Sequence, residues 1–215
     1  MCEIIQSITM KKYLGFLLAL VLFSCEGKKE IELPKADTTI VADVQEHSPI
    51  YMFFKVTGND TIADVNRKNS IVSTNWIFNI DKRLPLKLIV PEIIKLQAKK
   101  DKSMHKNEAA ENYFSYANDV KKTMAFLPFT KVKYVIGKPK SGTIVYFSKN
   151  NKILVDNIEV KRDSLEVYLN KMSEVKLHNI NFCFDKNNTY DSYIKNIISI
   201  RSLEIEVIKP EEFIY

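Results

Sequence analysis

Eleven consecutive apolar residues, Tyr13 to Phe23, follow Lys11 and Lys12 and run into Ser24-Cys25. The run is too short to cross a bilayer, because a hydrocarbon core of about 30 Å needs roughly 20 apolar residues in a helix. A basic pair ahead of a short apolar run has the form of a secretory signal, which is cut away from the mature chain. Residues 1–24 are therefore excluded from the fold, and everything after them has to build it. Residues 1–9, with Glu3 among them, spoil an otherwise well-formed signal, so translation is expected to start at Met10.

Composition closes off several function classes. With 46% hydrophobic and 27% charged residues the chain has enough apolar side chains for a core and is not disordered. Three cysteines are too few for a disulfide framework or a four-thiolate zinc site, and five scattered glycines leave no phosphate-cradling loop. His47, His105 and His178 are isolated from one another and from any acid or cysteine at ligand spacing. No metal and no cofactor is expected. The net charge of +6 favours acidic partners. An exported chain has no use for nucleic acid.

The sequence Leu22-Phe23-Ser24-Cys25 resembles a bacterial lipobox. The resemblance implies that Cys25 is the first mature residue and carries lipid chains, so the protein would sit in the periplasm, anchored to the inner or outer membrane. Cys2 would be lost with the signal. Cys183, within the alternating Asn181-Phe182-Cys183-Phe184, reads as a buried, inert thiol. Residues 25–47 read as a lipidated tether, the charged stretch 26–37 being the flexible part. Asp37-Thr38-Thr39 resembles the O-glycosylation sites of Bacteroidetes lipoproteins, which makes Thr38 a candidate glycan carrier. Lys28 and Lys29 dilute the acidic pattern of surface-export signals in that group.

Two α/β segments follow, at 48–136 and 143–215, joined by the linker 137–142 (Gly-Lys-Pro-Lys-Ser-Gly). In the first, Ile50 to Val56 and Thr61 to Val65 read as strands around the turn Gly58-Asn59-Asp60, and Ser70 to Ile80 as a third. A helix is expected to begin near Pro91 and to end at Lys99-Lys100, and another over 108–126 with Tyr113, Phe114 and Ala117 on one face. In the second, Thr143 to Ser148 and Lys152 to Asp156 form a hairpin. Asp163 with Glu166 reads as a capping box, and Leu165, Tyr168, Leu169 and Met172 make a helical stripe. His178 to Phe184 is a strand, Tyr190 to Ile198 a helix, and Leu203 to Ile208 a closing strand. The expected class is α/β, or α+β in two layers: a mixed sheet with helices on one face.

From about Gly142 to Ile208 the chain resembles the periplasmic domain of the ExbD/TolR biopolymer-transport family. Thr143 to Phe147 with Asn151 to Asp156 resembles its first hairpin, Ser164-Leu165 with Tyr168-Leu169 its following helix, and Asn181 to Lys186 with Thr189-Tyr190 its central strand element. The resemblance implies a binding module with a protein partner in the envelope, a capacity to form homodimers, and Asp185 and Tyr190 as interaction residues. The family's membrane helix carries an aspartate, which nothing in this apolar run matches, so a proton-relay role does not transfer.

Phe78-Asn79-Ile80-Asp81-Lys82 aligns with Phe182-Cys183-Phe184-Asp185-Lys186 at an offset of 104 that also puts Ile93-Ile94 on Ile197-Ile198. Two degenerate copies of one domain are the reading that follows. Trp76, beside Asn75 and Phe78, is either core or an aromatic platform for a partner. The leading function is a non-enzymatic interaction module, anchored to the membrane. The alternative is a lipid-anchored enzyme acting on glycan or peptide at a site near Trp76 and Asp81, with His105 converging on it. Glu204 and Glu206 read as the wet face of a strand, and Asp185 as a turn former.

Overall fold

A computed structural model describes residues 30–68, 70–105, 107–172, 179–203 and 210–215. The expectations for residues 1–29, with Cys25, and for His178, Glu204, Glu206 and the strand to Ile208 lie outside the described residues. Ile31–Tyr215 forms one compact unit that holds two mixed sheets.

The first sheet contains β1 (Lys35–Ala36), β2 (His47–Thr57), β3 (Asp60–Asn66), β4 (Asn75–Ile80), β5 (Asn112–Asn118) and β6 (Thr123–Pro128), with α1 (Leu86–Asp101) between β4 and β5. Its order is β3-β2-β4-β5, and β1 and β6 both pair with β5. The second contains β7 (Lys133–Ile136), β8 (Thr143–Phe147), β9 (Ile153–Val155), β10 (Ile158–Val160), β11 (Ile180–Phe184) and β12 (Glu211–Ile214), in the order β10-β9-β8-β11-β12-β7. A 3₁₀ turn (Arg162–Ser164), α2 (Leu165–Asn170) and α3 (Tyr190–Arg201) complete it.

Both sheets are built by one plan. An antiparallel hairpin (β2–β3 and β8–β9) is followed by a strand parallel to its first arm (β4 and β11), a helix (α1 and α3) and a further parallel strand (β5 and β12). The offset of 104 survives at the atomic level where the halves meet. Leu86 N–H donates to Asn188 O at 2.9 Å, and Tyr190 N–H to Leu84 O at 2.8 Å. Lys87 N–H donates to Lys186 O at 2.8 Å, and Asp191 N–H to Lys82 O at 3.1 Å. Each pair exchanges its members under the offset. The first amides of a helix have no partner within it, and here each helix start is capped by the loop that precedes the other. Gln97 and Arg201, also 104 apart, donate to the backbone carbonyls of Val132 and Pro128.

The core is continuous through both sheets. Phe114 of β5 stacks on Phe129 at 3.7 Å and meets Tyr190 of α3 edge-on at 5.7 Å; Tyr193 then contacts Phe184, which stacks on Phe147. Fully burying a side chain of this size stabilises by about 1.5–3 kcal/mol. A smaller cluster of Val44, Ile77 and Phe126, with Val41 and Tyr113 packed against it, covers the opposite face of the first sheet.

That second cluster explains the main correction. The stretch 108–126, expected as a helix, is β5, a turn and β6. Good helix formers at 108–111 precede it, yet Phe114 and Tyr116 bury into the main core while Tyr113 packs with Ile77 and Phe126 on the other side. Aromatic residues alternating between two covered faces favour a strand. The helix expected near Pro91 starts instead at Leu86, because Leu86, Ile89 and Val90 are buried along with Ile93 and Leu96. Pro91 is therefore inside it. The third strand begins at Asn75 rather than Ser70. At α2 the N-cap is Ser164, without a side-chain cap bond, so Asp163 and Glu166 do not close a box there.

The stretch expected as a tether joins the fold from Ile31 onward. Lys82 N–H donates to Glu32 O at 2.7 Å, β1 pairs with β5, and Tyr116 Oη bridges Ile40 N–H at 3.0 Å and Thr38 O at 2.9 Å. β7 precedes the linker 137–142 yet pairs with β12 of the second sheet. Gly142 is the close point of that linker: its φ is +98°, and a Cβ there would collide with the Asn179 backbone carbonyl.

Candidate functional site

The cross-capped helix starts leave two grooves, one beside each. The first has a volume of about 1260 Å³ and runs along α3. Polar and charged residues predominate among those that line it, including Lys35, Thr38, Asp119, Asn188, Asp191 and Lys195. Asn151 and Arg162 also line it. Among the described residues, two ion pairs lie along it. Lys195 Nζ lies 2.6 Å from Asp191 Oδ2, and Lys35 Nζ lies 3.4 Å from Asp119 Oδ1. Lys122 and Lys35 beside Asp119 hold its carboxyl below the usual carboxylate range. Arg162 donates to Asn196 Oδ1. Asn188, 1% exposed, donates to Phe147 O at 2.9 Å, but its Oδ1 has no hydrogen-bond partner among the described residues.

The second groove, about 370 Å³, lies against α1 and is apolar. Leu86, Val90 and Pro91 form one wall and Ile136, Ile214 and Tyr215 the other. Lys87 and Lys186 stand at its mouth. Positions 87 and 191, and 91 and 195, correspond under the offset, so the two grooves are equivalent places lined by different chemistry.

Between the sheets lies a buried polar chain. Tyr193 Oη donates to Glu212 Oε2 at 2.6 Å and lies 2.9 Å from Tyr134 Oη. Burial pushes the Glu212 carboxyl up to about 7, against the opposing pull of Tyr193 and Arg201. Burial likewise carries the Tyr134, Tyr190 and Tyr193 hydroxyls well above their ordinary value.

The residues singled out in the sequence are not brought together into one centre. Trp76 is fully buried, donates Nε1–H to Ile71 O at 2.7 Å and has Lys100 Nζ 4.9 Å over its ring, so no platform is presented. Asp81 is fully buried and receives Arg83 Nε at 2.8 Å and Nη2 at 2.7 Å. Burial pushes its carboxyl up, but the Arg83 and Glu32 hydrogen bonds outweigh this and the net direction is down. It is a clamp for the loop before α1, and neither Trp76, Asp81 nor His105 lines a groove. His105 is exposed. His47 Nδ1 lies 2.8 Å from Val44 O.

Asp185 stands where Asp81 stands in the other half; each accepts the N–H two residues on, Asn187 at 2.8 Å and Arg83 at 3.0 Å. Tyr190 is fully buried and its hydroxyl has no hydrogen-bond partner among the described residues, so it packs in the core. Thr38 is exposed on the wall of the first groove, its Oγ1 donating to Asp37 Oδ1 at 3.1 Å. Cys183 is fully buried, its thiol pushed up to about 12 by that burial, which keeps it unreactive.

Among the described residues, Thr38 alone of the candidate site residues read from the sequence lines a groove. Only the offset of 104 pointed to both helix starts, and nothing in sequence order tells which strand forms the facing wall. Among the described residues no group of three or more His, Cys, Asp or Glu is placed to hold a metal ion, and no helix is long and apolar enough to cross a membrane. No family model, no curated protein and no solved structure matches the chain.

Proposed function

We propose that the chain is a lipid-anchored protein of the bacterial envelope that binds a partner and does not transform it, as an accessory to an ExbD/TolR-type transport complex. The observation that carries the reading is the long polar groove along α3. Its volume of about 1260 Å³ exceeds the roughly 300–1000 Å³ of small-molecule pockets and suits an extended stretch of protein. Ion pairs along its walls pre-order the side chains, which lowers the entropic cost of binding. The signal-like run and Cys25 supply the anchor, on the periplasmic side of the inner or outer membrane. A glycan on Thr38 would project from the groove wall and narrow the choice of partner. A second copy of the chain is one candidate occupant, since related domains pair.

Two variants of the full chain in cells test this. A photo-crosslinking residue in place of Lys195, on the groove, is expected to capture a defined envelope protein. The same residue in place of Ile62, on an outer strand, is expected not to. Equal capture from both positions, or none from either, would count against the groove. Cys25→Ser should move the protein out of the detergent phase on phase separation; retention there would overturn the anchor.

A further inference from the structure

The second groove adjoins an open strand edge and a set of unmatched lysines. We propose that β7 and this groove together dock an acidic, extended segment of a partner protein, which adds as a strand to β7 and seats one apolar side chain against Leu86, Val90 and Pro91. The inference rests on reading the chain as a binding module, but concerns a different surface.

Three features argue for it. First, β7 ends the strand order of its sheet. Lys133 N–H donates to Pro210 O and Gly137 N–H to Ile214 O, so the alternate peptide groups, those of Tyr134 and Ile136, point away from β12. Val135 and Ile136 are 37% and 63% exposed. An uncovered, apolar edge is a template for another strand.

Second, the edge leads into the groove, since Ile136 and Gly137 line it. A strand paired with β7 would point every second side chain to that face.

Third, charge selects the occupant. Lys87, Lys138 and Lys186 are exposed around this groove and, like several other surface lysines, form no ion pair among the described residues. Lys138 Nζ lies 5.2 Å over the Tyr215 ring, which fixes it beside the groove. Lys133 is left out of this set because it lies in register with Glu211 on β12. Three uncompensated positive charges around an apolar slot repel basic segments and attract acidic ones.

The test uses the full chain in mild detergent and an acetylated nine-residue peptide alternating glutamate with leucine and valine, read by fluorescence anisotropy. Binding should weaken about tenfold or more in the double variant Lys87→Glu, Lys186→Glu. Ile136→Pro should weaken it similarly, because proline removes the outward N–H and leaves the β7–β12 bonds in place. Near-UV circular dichroism should be unchanged in each variant. A control peptide with lysine for glutamate should not bind. No binding of the acidic peptide, or binding indifferent to either variant, would overturn the proposal. So would capture by phosphatidylglycerol vesicles in place of the peptide, or self-association of the chain that Ile136→Pro abolishes. Failure here leaves the Lys195 crosslink and the Cys25→Ser result untouched, so the two readings fail separately.

Discussion

The two halves share a backbone plan and differ in what they place at equivalent points. Phe114 of β5 is in register with Phe78, and Glu212 of β12 with Phe182; Phe78 and Phe182 are 104 residues apart. One half therefore buries an aromatic ring where the other buries a carboxyl. At the helix starts Leu86 answers to Tyr190 and Lys87 to Asp191, so one groove is apolar and flanked by lysines, and the other is lined by polar and charged residues that include two ion pairs. The lesson is that backbone geometry set by reciprocal capping tolerates opposite side-chain chemistry on the same scaffold. The caps are main-chain bonds, and main-chain bonds do not read side chains.

The largest effect is expected where the halves are fused. Phe114→Ala removes the ring that joins Phe129 to Tyr190 and Tyr193 and should cost about 3–5 kcal/mol in urea unfolding. If the halves are one cooperative unit the transition stays single and moves to lower denaturant. If it splits in two, each half is a separate folding unit and the comparison becomes one of independent domains.

Glu212 should contribute the next effect. Its folded value of about 7 lies above the ordinary 4.5, so the native state favours the protonated carboxyl. Its contribution to stability is fully present below about pH 4.5 and is lost as the pH rises through about 7. The cumulative loss has an upper bound of about 3 kcal/mol. Glu212→Gln should flatten that part of the stability–pH curve while keeping an acceptor for Tyr193. An unchanged curve would show that another group titrates there.

The smallest effect probes the helix starts. Tyr190→Phe deletes a buried hydroxyl without a partner and brings the position closer to Leu86 of the other half. A gain of up to about 1 kcal/mol is expected in the same unfolding assay, since no hydrogen bond is lost and a desolvated group is removed. A loss of more than that would mean the hydroxyl is satisfied in solution.

Much of the architecture was legible along the chain. The hairpins at Gly58-Asn59 and Asn150-Asn151, the helix from Tyr190 and the repeat at offset 104 all rest on local turn chemistry or periodicity, which neighbouring residues determine. What misled was covering by distant segments. Tyr113 reads as one face of a helix until Val41 and Val44, far earlier in the chain, bury its side of a sheet. Pro91 reads as a helix start until the burial of Leu86 and Val90 extends the helix in front of it.

The site was less legible still. Asp81 and Trp76 stand out as chemical residues, yet both serve the interior, while Lys87, Ile136 and Lys195 belong to no motif and Thr38 stands out only as a glycan carrier. By itself the sequence determined the mixed α/β class, the internal repeat and the first hairpin of each half, because these depend on side-chain alternation and on turns a few residues long. Only the tertiary structure decided which wall faces which helix, which charges find partners and which aromatic rings are sealed inside. Those outcomes depend on contacts between residues more than a hundred positions apart, and the free energy of such contacts is not written in any local pattern.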